Sequence, residues 1–131
     1  MLTKGMKGQK ELVVTEDLLA NRVGSGLVAV YATPMMIAGI EGTAAGSVAD
    51  ALEPGKTTVG TQMNVSHVAA TPAGMKVRFE TELTDIAPNG KILTFQVAAY
   101  DEKGLIGEGT HQRAIVDKER FEAKAQAKLQ G

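Results

Sequence analysis

The sequence contains no cysteine and no tryptophan. Without thiols there can be no disulfide, no thiolate metal site and no cysteine nucleophile, and the cytoplasm is the default compartment. Aromatic residues are scarce, three Phe and two Tyr among 131 residues, and charge of neither sign forms a block, since 14 Lys and Arg mix with 15 Asp and Glu for a net charge of −1. A nucleic-acid binder needs a basic patch with aromatics to stack on bases, so none is expected here. Only two histidines are present, and they show no zinc-like spacing, so no metal or other cofactor is expected. No long apolar run exists either. The longest, from Leu27 to Ile40, is too short to span a bilayer, is interrupted by Pro34 and is followed by Glu41. The N-terminal Met1 to Gly8 carries lysines but leads into no apolar stretch, so it does not read as a secretory leader. What remains is 44% hydrophobic and 22% charged residues. That composition suits one soluble domain spanning residues 1–131, with a single core and an edge that a second subunit could complete.

Residues 32–45 organise the chain. Thr33 offers a hydroxyl to cap a helix and Pro34 fits the first helical position, so a helix is expected to begin at Pro34 and run toward Leu52. Between those residues the only charges are Glu41 and Asp50. The neighbours of Glu41 three and four positions away are Ile37, Ala38, Ala44 and Ala45, so no cation on the helix can pair with it. Gly39, Gly42 and Gly46 each cost about 1 kcal/mol of helix propensity relative to alanine. Such a helix must be held by close packing against a sheet. Glu41 then reads as a carboxyl group buried in apolar surroundings, where catalytic acids and bases are often found.

Gly8 to Val14 reads as a first, edge strand carrying a lysine and a glutamate. Thr15 offers a cap for a short helix over 16–20, and Gly24-Ser25-Gly26 breaks it, forming either a plain connector or the rim of a pocket. After the turn at Glu53-Pro54-Gly55-Lys56 the period changes to two. In 57–70 one parity holds Val59, Thr61, Met63, Val65, His67 and Ala69, which puts His67 on the face that meets the helix. Val77, Phe79, Thr81 and Leu83 mark a half-buried strand. Pro88-Asn89-Gly90 signals a hairpin into a strand with Leu93, Phe95, Val97 and Ala99 on one face. A last strand over 105–116 has Gly107, Gly109, His111 and Arg113 on one parity. Asp117 can then cap a terminal helix with a thin stripe of Phe121, Ala125 and Leu129. The expected class is α+β, an antiparallel sheet wrapped around a long central helix.

Three side chains fall where helix and sheet meet: Thr33, Glu41 and His67. Each has a structural use as well, as helix cap, satisfied buried acid or core histidine. Their joint appearance at one boundary makes an acid–base set the reading to weigh against those structural uses. His111 and Arg113 share a strand face and could meet the phosphates of a nucleotide or pair with a neighbouring strand.

The string Tyr31-Ala32-Thr33-Pro34 with Glu41, then Val59-Gly60-Thr61 into Val65-Ser66-His67, Ala69-Ala70-Thr71-Pro72 and Gly107-Glu108-Gly109-Thr110-His111-Gln112-Arg113, resembles the hot-dog-fold thioesterases of the fluoroacetyl-CoA thioesterase type. The likeness extends from Val13 to Phe121. It implies a hot-dog fold, a homodimer or larger homo-oligomer with acyl-CoA bound at the interface, and a catalytic set of Thr33, Glu41 and His67. It also implies that the backbone at Gly60 lines the acyl pocket and that Arg113 lies near the site. One segment departs from the pattern: Gly24, Ser25, Gly26 and Leu27 stand where the fluoroacetyl-specific enzyme has phenylalanines gating its pocket.

Thioester hydrolysis suits these residues on chemical grounds. The leaving thiolate is stable, so the site needs an activated water or nucleophile and donors for the oxyanion, but no strong acid. Glu41 could serve as general base or as nucleophile, His67 as proton shuttle, and Thr33 as a positioning hydroxyl. A hot-dog hydratase would place a histidine near the start of the helix, and none is there. A non-catalytic acyl-CoA-binding or sensing module is the competing reading, although the segment before the first helix is too short for a helix-turn-helix.

Overall fold

The alternating pattern after residue 56 becomes four long strands. The computed structural model describes residues 1–131 as β1 (Lys7–Val13), α1 (Ala20–Val23), α2 (Thr33–Val48), β2 (Lys56–His67), β3 (Lys76–Ile86), β4 (Ile92–Asp101), β5 (Gly104–Asp117) and α3 (Lys118–Gln126). All strand pairs are antiparallel and the order across the sheet is β1-β3-β4-β5-β2. β1 is an edge strand, as its charges suggested. β2 is the other edge, so one side of its backbone ladder has no partner in the chain.

The sheet curves around α2. Met36, Ile40, Ala44 and Val48 of the helix are fully buried with Val77, Phe79 and Leu83 of β3 and Leu93, Phe95 and Val97 of β4. Burial of such side chains contributes about 1.5–3 kcal/mol each, which offsets the poor propensity of a glycine-bearing helix. Close approach explains Gly39, because a Cβ there would overlap the Phe79 ring. Gly107 is needed likewise under Met36, whose Sδ would lie 2.9 Å from a Cβ at that position.

Several local expectations are corrected. The helix begins one residue early, with Ala32 as its N-cap, so Thr33 occupies the first helical turn and caps nothing; Pro34 still lies in that turn. It ends at Val48, and a 3₁₀ turn, Ala49–Ala51, replaces its last part. Thr15 makes no capping hydrogen bond but donates its hydroxyl to Asp17, and residues 16–20 hold a 3₁₀ turn (Glu16–Leu18) followed by the one-turn α1. The β2 pattern is broken by a bulge between Gly60 and Gln62. Before the bulge Thr58 and Gly60 face inward, and after it Met63, Val65 and His67 do. Asp117 caps α3 by accepting from the Arg120 N–H, yet the apolar stripe of that helix is not docked, Phe121 being 47% and Leu129 83% exposed.

Candidate active site

The freedom of Thr33 from capping gives its hydroxyl another use. Thr33 Oγ1 is hydrogen bonded to His67 Nδ1 at 2.7 Å, joining the start of α2 to the end of β2. The other ring nitrogen, Nε2, is buried with no hydrogen-bond partner. Burial lowers the His67 pKa from its usual value, partly opposed by the Ala69 backbone. The imidazole is therefore neutral at pH 7 and able to accept a proton.

Glu41 belongs to a different cluster. Its side chain is 44% exposed, so it is not the buried acid the sequence suggested. Its cation comes from another element: Arg113 Nη1 of β5 lies 3.8 Å from Glu41 Oε2. Arg113 is itself held by Thr58, donating from Nε to the hydroxyl at 2.8 Å and from Nη2 to the carbonyl at 2.9 Å. Its Nη1 donates to His111 Nε2 at 3.1 Å, and His111 Nδ1 donates to the Gln62 carbonyl at 2.8 Å. Because a guanidinium only donates and a carbonyl only accepts, this network fixes the neutral His111 tautomer with its proton on Nδ1. Burial lowers the His111 pKa, with the Gln62 backbone opposing and Arg113 reinforcing the shift. Arg113 is lowered by burial and raised by Glu41.

His111 and Arg113 do share a face, as their parity required, but it is the inner one. They are 1% and 7% exposed. Neither is a solvated side chain, and Arg113 engages a carboxylate of its own chain. Gly60 pairs with Arg113 across the ladder, and a Cβ there would stand 2.5 Å from Glu41 Oε2. Thr58, which anchors Arg113, was missed by sequence reading, because the bulge moves it to the inner face against the strand's apparent parity.

The structure thus brings the six residues together as two groups. Eight residues of α-helix separate Thr33 from Glu41, about 12 Å at 1.5 Å per residue. Along β2, Gly60 and His67 are roughly 20 Å apart. A cavity of about 350 Å³ adjoins the first group, its wall including Ser25, Gly26, Leu27, Thr33, His67 and Val68. Gly60 is not part of that wall. A larger hollow of about 470 Å³ lies mainly on the outer sheet face, around Glu80, Glu82, Gln96 and Glu108, and contains none of the six.

The fold recurs among known proteins. The model of a family described as fluoroacetyl-CoA-specific thioesterase matches residues 14–119. The fluoroacetyl-CoA thioesterase of Streptantibioticus cattleyicolor is 39% identical over 99 residues, which is 76% of this chain and 70% of that protein. The solved structure of the fluoroacetyl-CoA thioesterase FlK superposes with a TM-score of 0.92 at 31% identity, covering 98% of each chain, and a variant of that enzyme has been solved with fluoroacetate and CoA. A thioesterase superfamily member from Thermus thermophilus, TTHA0967, gives a TM-score of 0.89 at 28% identity over 99% of this chain and 95% of its own. The sheet wrapped around one long helix is the hot-dog fold of these thioesterases.

Proposed function

The chain belongs to the family of fluoroacetyl-CoA-specific thioesterases, and from that membership we propose that it hydrolyses short-chain acyl-CoA thioesters, substituted acetyl-CoA among them, to free acid and CoA at a site completed by a second copy of the chain. Thioester hydrolysis is the family's reaction. The observation that carries the shared site is the division of its residues between the two ends of β2, an edge strand with an unpaired ladder.

An edge of this kind favours isologous pairing with a second copy. In the pairing we propose, the two-fold axis would lie between Met63 and Asn64, the register that sets Gly60 opposite His67 of the partner subunit. Glu41 and Arg113 of one chain then face the partner's Thr33 and the partner's His67, and the two halves become one site. That assembly would also cover the Glu41 carboxylate, which is 44% exposed in the single chain.

In such a site Glu41 either removes a proton from water or adds directly to the carbonyl carbon. A C–O bond forms, the C–S bond breaks, and CoA departs as a thiolate stable enough to need no strong acid; where Glu41 is the nucleophile, water then hydrolyses the acyl–glutamyl anhydride to the free acid and returns the carboxylate. Arg113, 3.8 Å away, orients the carboxylate. Neutral His67 accepts and returns the proton, with Thr33 fixing its ring. The N-terminus of α2 beside Thr33 carries positive partial charge suited to the developing oxyanion. No cofactor is needed beyond the CoA of the substrate. No helix of the chain is long and apolar enough to cross a membrane, and a CoA thioester substrate suits a cytoplasmic location.

Thiol release from a panel of acyl-CoAs tests the hydrolase, and subunit mixing tests the sharing. Glu41→Gln and His67→Ala proteins, each inactive alone, are mixed and allowed to exchange. Half the dimers are then mixed and one site of two is intact in each, so roughly a quarter of wild-type activity returns. No recovery after verified exchange places the whole site within one chain. Binding of acyl-CoA without any thiol release marks a sensing module instead.

A further inference from the structure

Around the Thr33–His67 pair the chain carries apolar surface that its own fold leaves open. Leu27 is 95% exposed, Val28 64% and Val68 61%, and all three line the 350 Å³ cavity that also holds Thr33 and His67. Eight of the twelve lining residues are hydrophobic, which makes the cavity a poor host for the amides of a pantetheine arm. Tyr31 adds no free donor, since its hydroxyl donates to the Met35 carbonyl and burial pushes its pKa up to about 12. No cationic side chain lines the space, so a carbon–fluorine dipole finds no positive partner there.

We infer that this cavity receives an unsubstituted aliphatic acyl chain of the butyryl to hexanoyl kind, with the thioester carbonyl at Thr33 and His67 and the alkyl tail against Leu27, Val28 and Val68. The inference rests on the thioesterase reading and names its substrate. An acetyl or fluoroacetyl group is too short to cover those three side chains. Thr33 and His67 sit in the same wall, so a second copy that completes the site still has to leave this space open to the thioester. Neither Leu27 nor Val28 donates a backbone hydrogen bond, so this stretch has few backbone ties to break in fitting a tail.

The test is kcat/KM for acetyl-, fluoroacetyl-, butyryl- and hexanoyl-CoA with the wild type and with Leu27→Ser and Val28→Ser, alongside melting and sedimentation. Each methylene that finds apolar cover should raise kcat/KM about fourfold. Leu27→Ser should lower the hexanoyl-to-acetyl ratio about tenfold, with folding intact because the side chain is exposed, and Val28→Ser should act in the same direction. A flat profile, a fluoroacetyl optimum, or variants that dissociate the assembly without changing the ratio would overturn the assignment while leaving the hydrolase standing. Failure to release thiol from any of the four would remove the hydrolase reading and this substrate with it.

Discussion

Gly60 and Glu41 are in contact across the helix–sheet boundary: a methyl group on Gly60 would stand 2.5 Å from Glu41 Oε2 and 3.3 Å from His111 Cε1. The absence of a side chain at position 60 is what lets the carboxylate lie against β2. The carboxylate is the free end of a flexible, half-exposed side chain, so Gly60→Ala moves Glu41 and spares the backbone. Displacement of a reacting group by about 1 Å can cost about 100-fold in rate. A loss of that order in kcat with an unchanged melting temperature is expected; full activity would show that the carboxylate reacts from elsewhere.

Glu41→Gln separates chemistry from stability. The wild-type carboxylate is 44% exposed but pairs with the buried Arg113 at 3.8 Å, so replacing it by the isosteric amide, with Arg113 still held by Thr58, should cost on the order of 1 kcal/mol of stability. As base or nucleophile, its loss should lower kcat by about 100- to 10,000-fold, with acyl-CoA binding retained. Thermal melting beside thiol release distinguishes this from a structural acid, whose replacement would do the reverse.

Thr33→Val should leave stability nearly unchanged, because Ala32 is the cap and the roughly 1 kcal/mol of a lost capping side chain is not at stake. The bond to His67 does disappear, and kcat should fall by tenfold or more. Thr33→Ser keeps that bond and should retain most of the rate. A melting temperature lowered equally in both variants, with kcat untouched, would return Thr33 to a helix-end role.

Thr33 also shows where the sequence was legible. Thr-Pro announced the helix start to within one residue, since proline cannot sit deeper in a helix. Pro88-Asn89-Gly90 announced the β3–β4 hairpin, where Gly90 has φ +74° and the Asn89 side chain accepts from the Lys91 N–H. The Thr61 bulge was not legible, because alternation carries no mark of one extra residue. Reading through it put Gly60 and His67 on opposite faces, although both look inward. The exposure of Glu41 was hidden for another reason. Its helical neighbours are apolar or small, but the side of α2 bearing Glu41, Ala38, Ala45 and Gly42 is the side the sheet leaves uncovered.

That uncovered side yields a paired prediction. Gly39→Ala would drive a methyl into Phe79, and overpacking of this kind costs about 1–3 kcal/mol, more than the gain in helix propensity. Gly42 has nothing within 4 Å of an added Cβ. Gly42→Ala should therefore stabilise the isolated chain by about 1 kcal/mol. Denaturant titrations at several protein concentrations read both effects; a Gly42→Ala protein that melts lower and sediments as a monomer would show that a second copy packs against this side.

His67 and His111 predict different pH signatures. Burial holds both below the usual histidine value of 6.5. His67 must be neutral to take a proton, so kcat/KM should be full at neutral pH and fall on acidification with a midpoint below 6.5. The same shifts govern stability: between the lowered folded value and the unfolded one, the unfolded chain binds more protons, so stability is lost as pH falls from about 6.5 and is level above it. His111→Gln removes one of the two contributing groups. Its stability should depend less on pH, while the kinetic midpoint should stay where it was. A midpoint that moves with His111 would assign the acid limb to the Arg113 network, since protonating His111 Nε2 would set two cations against each other and break the bond that Arg113 Nη1 donates to it.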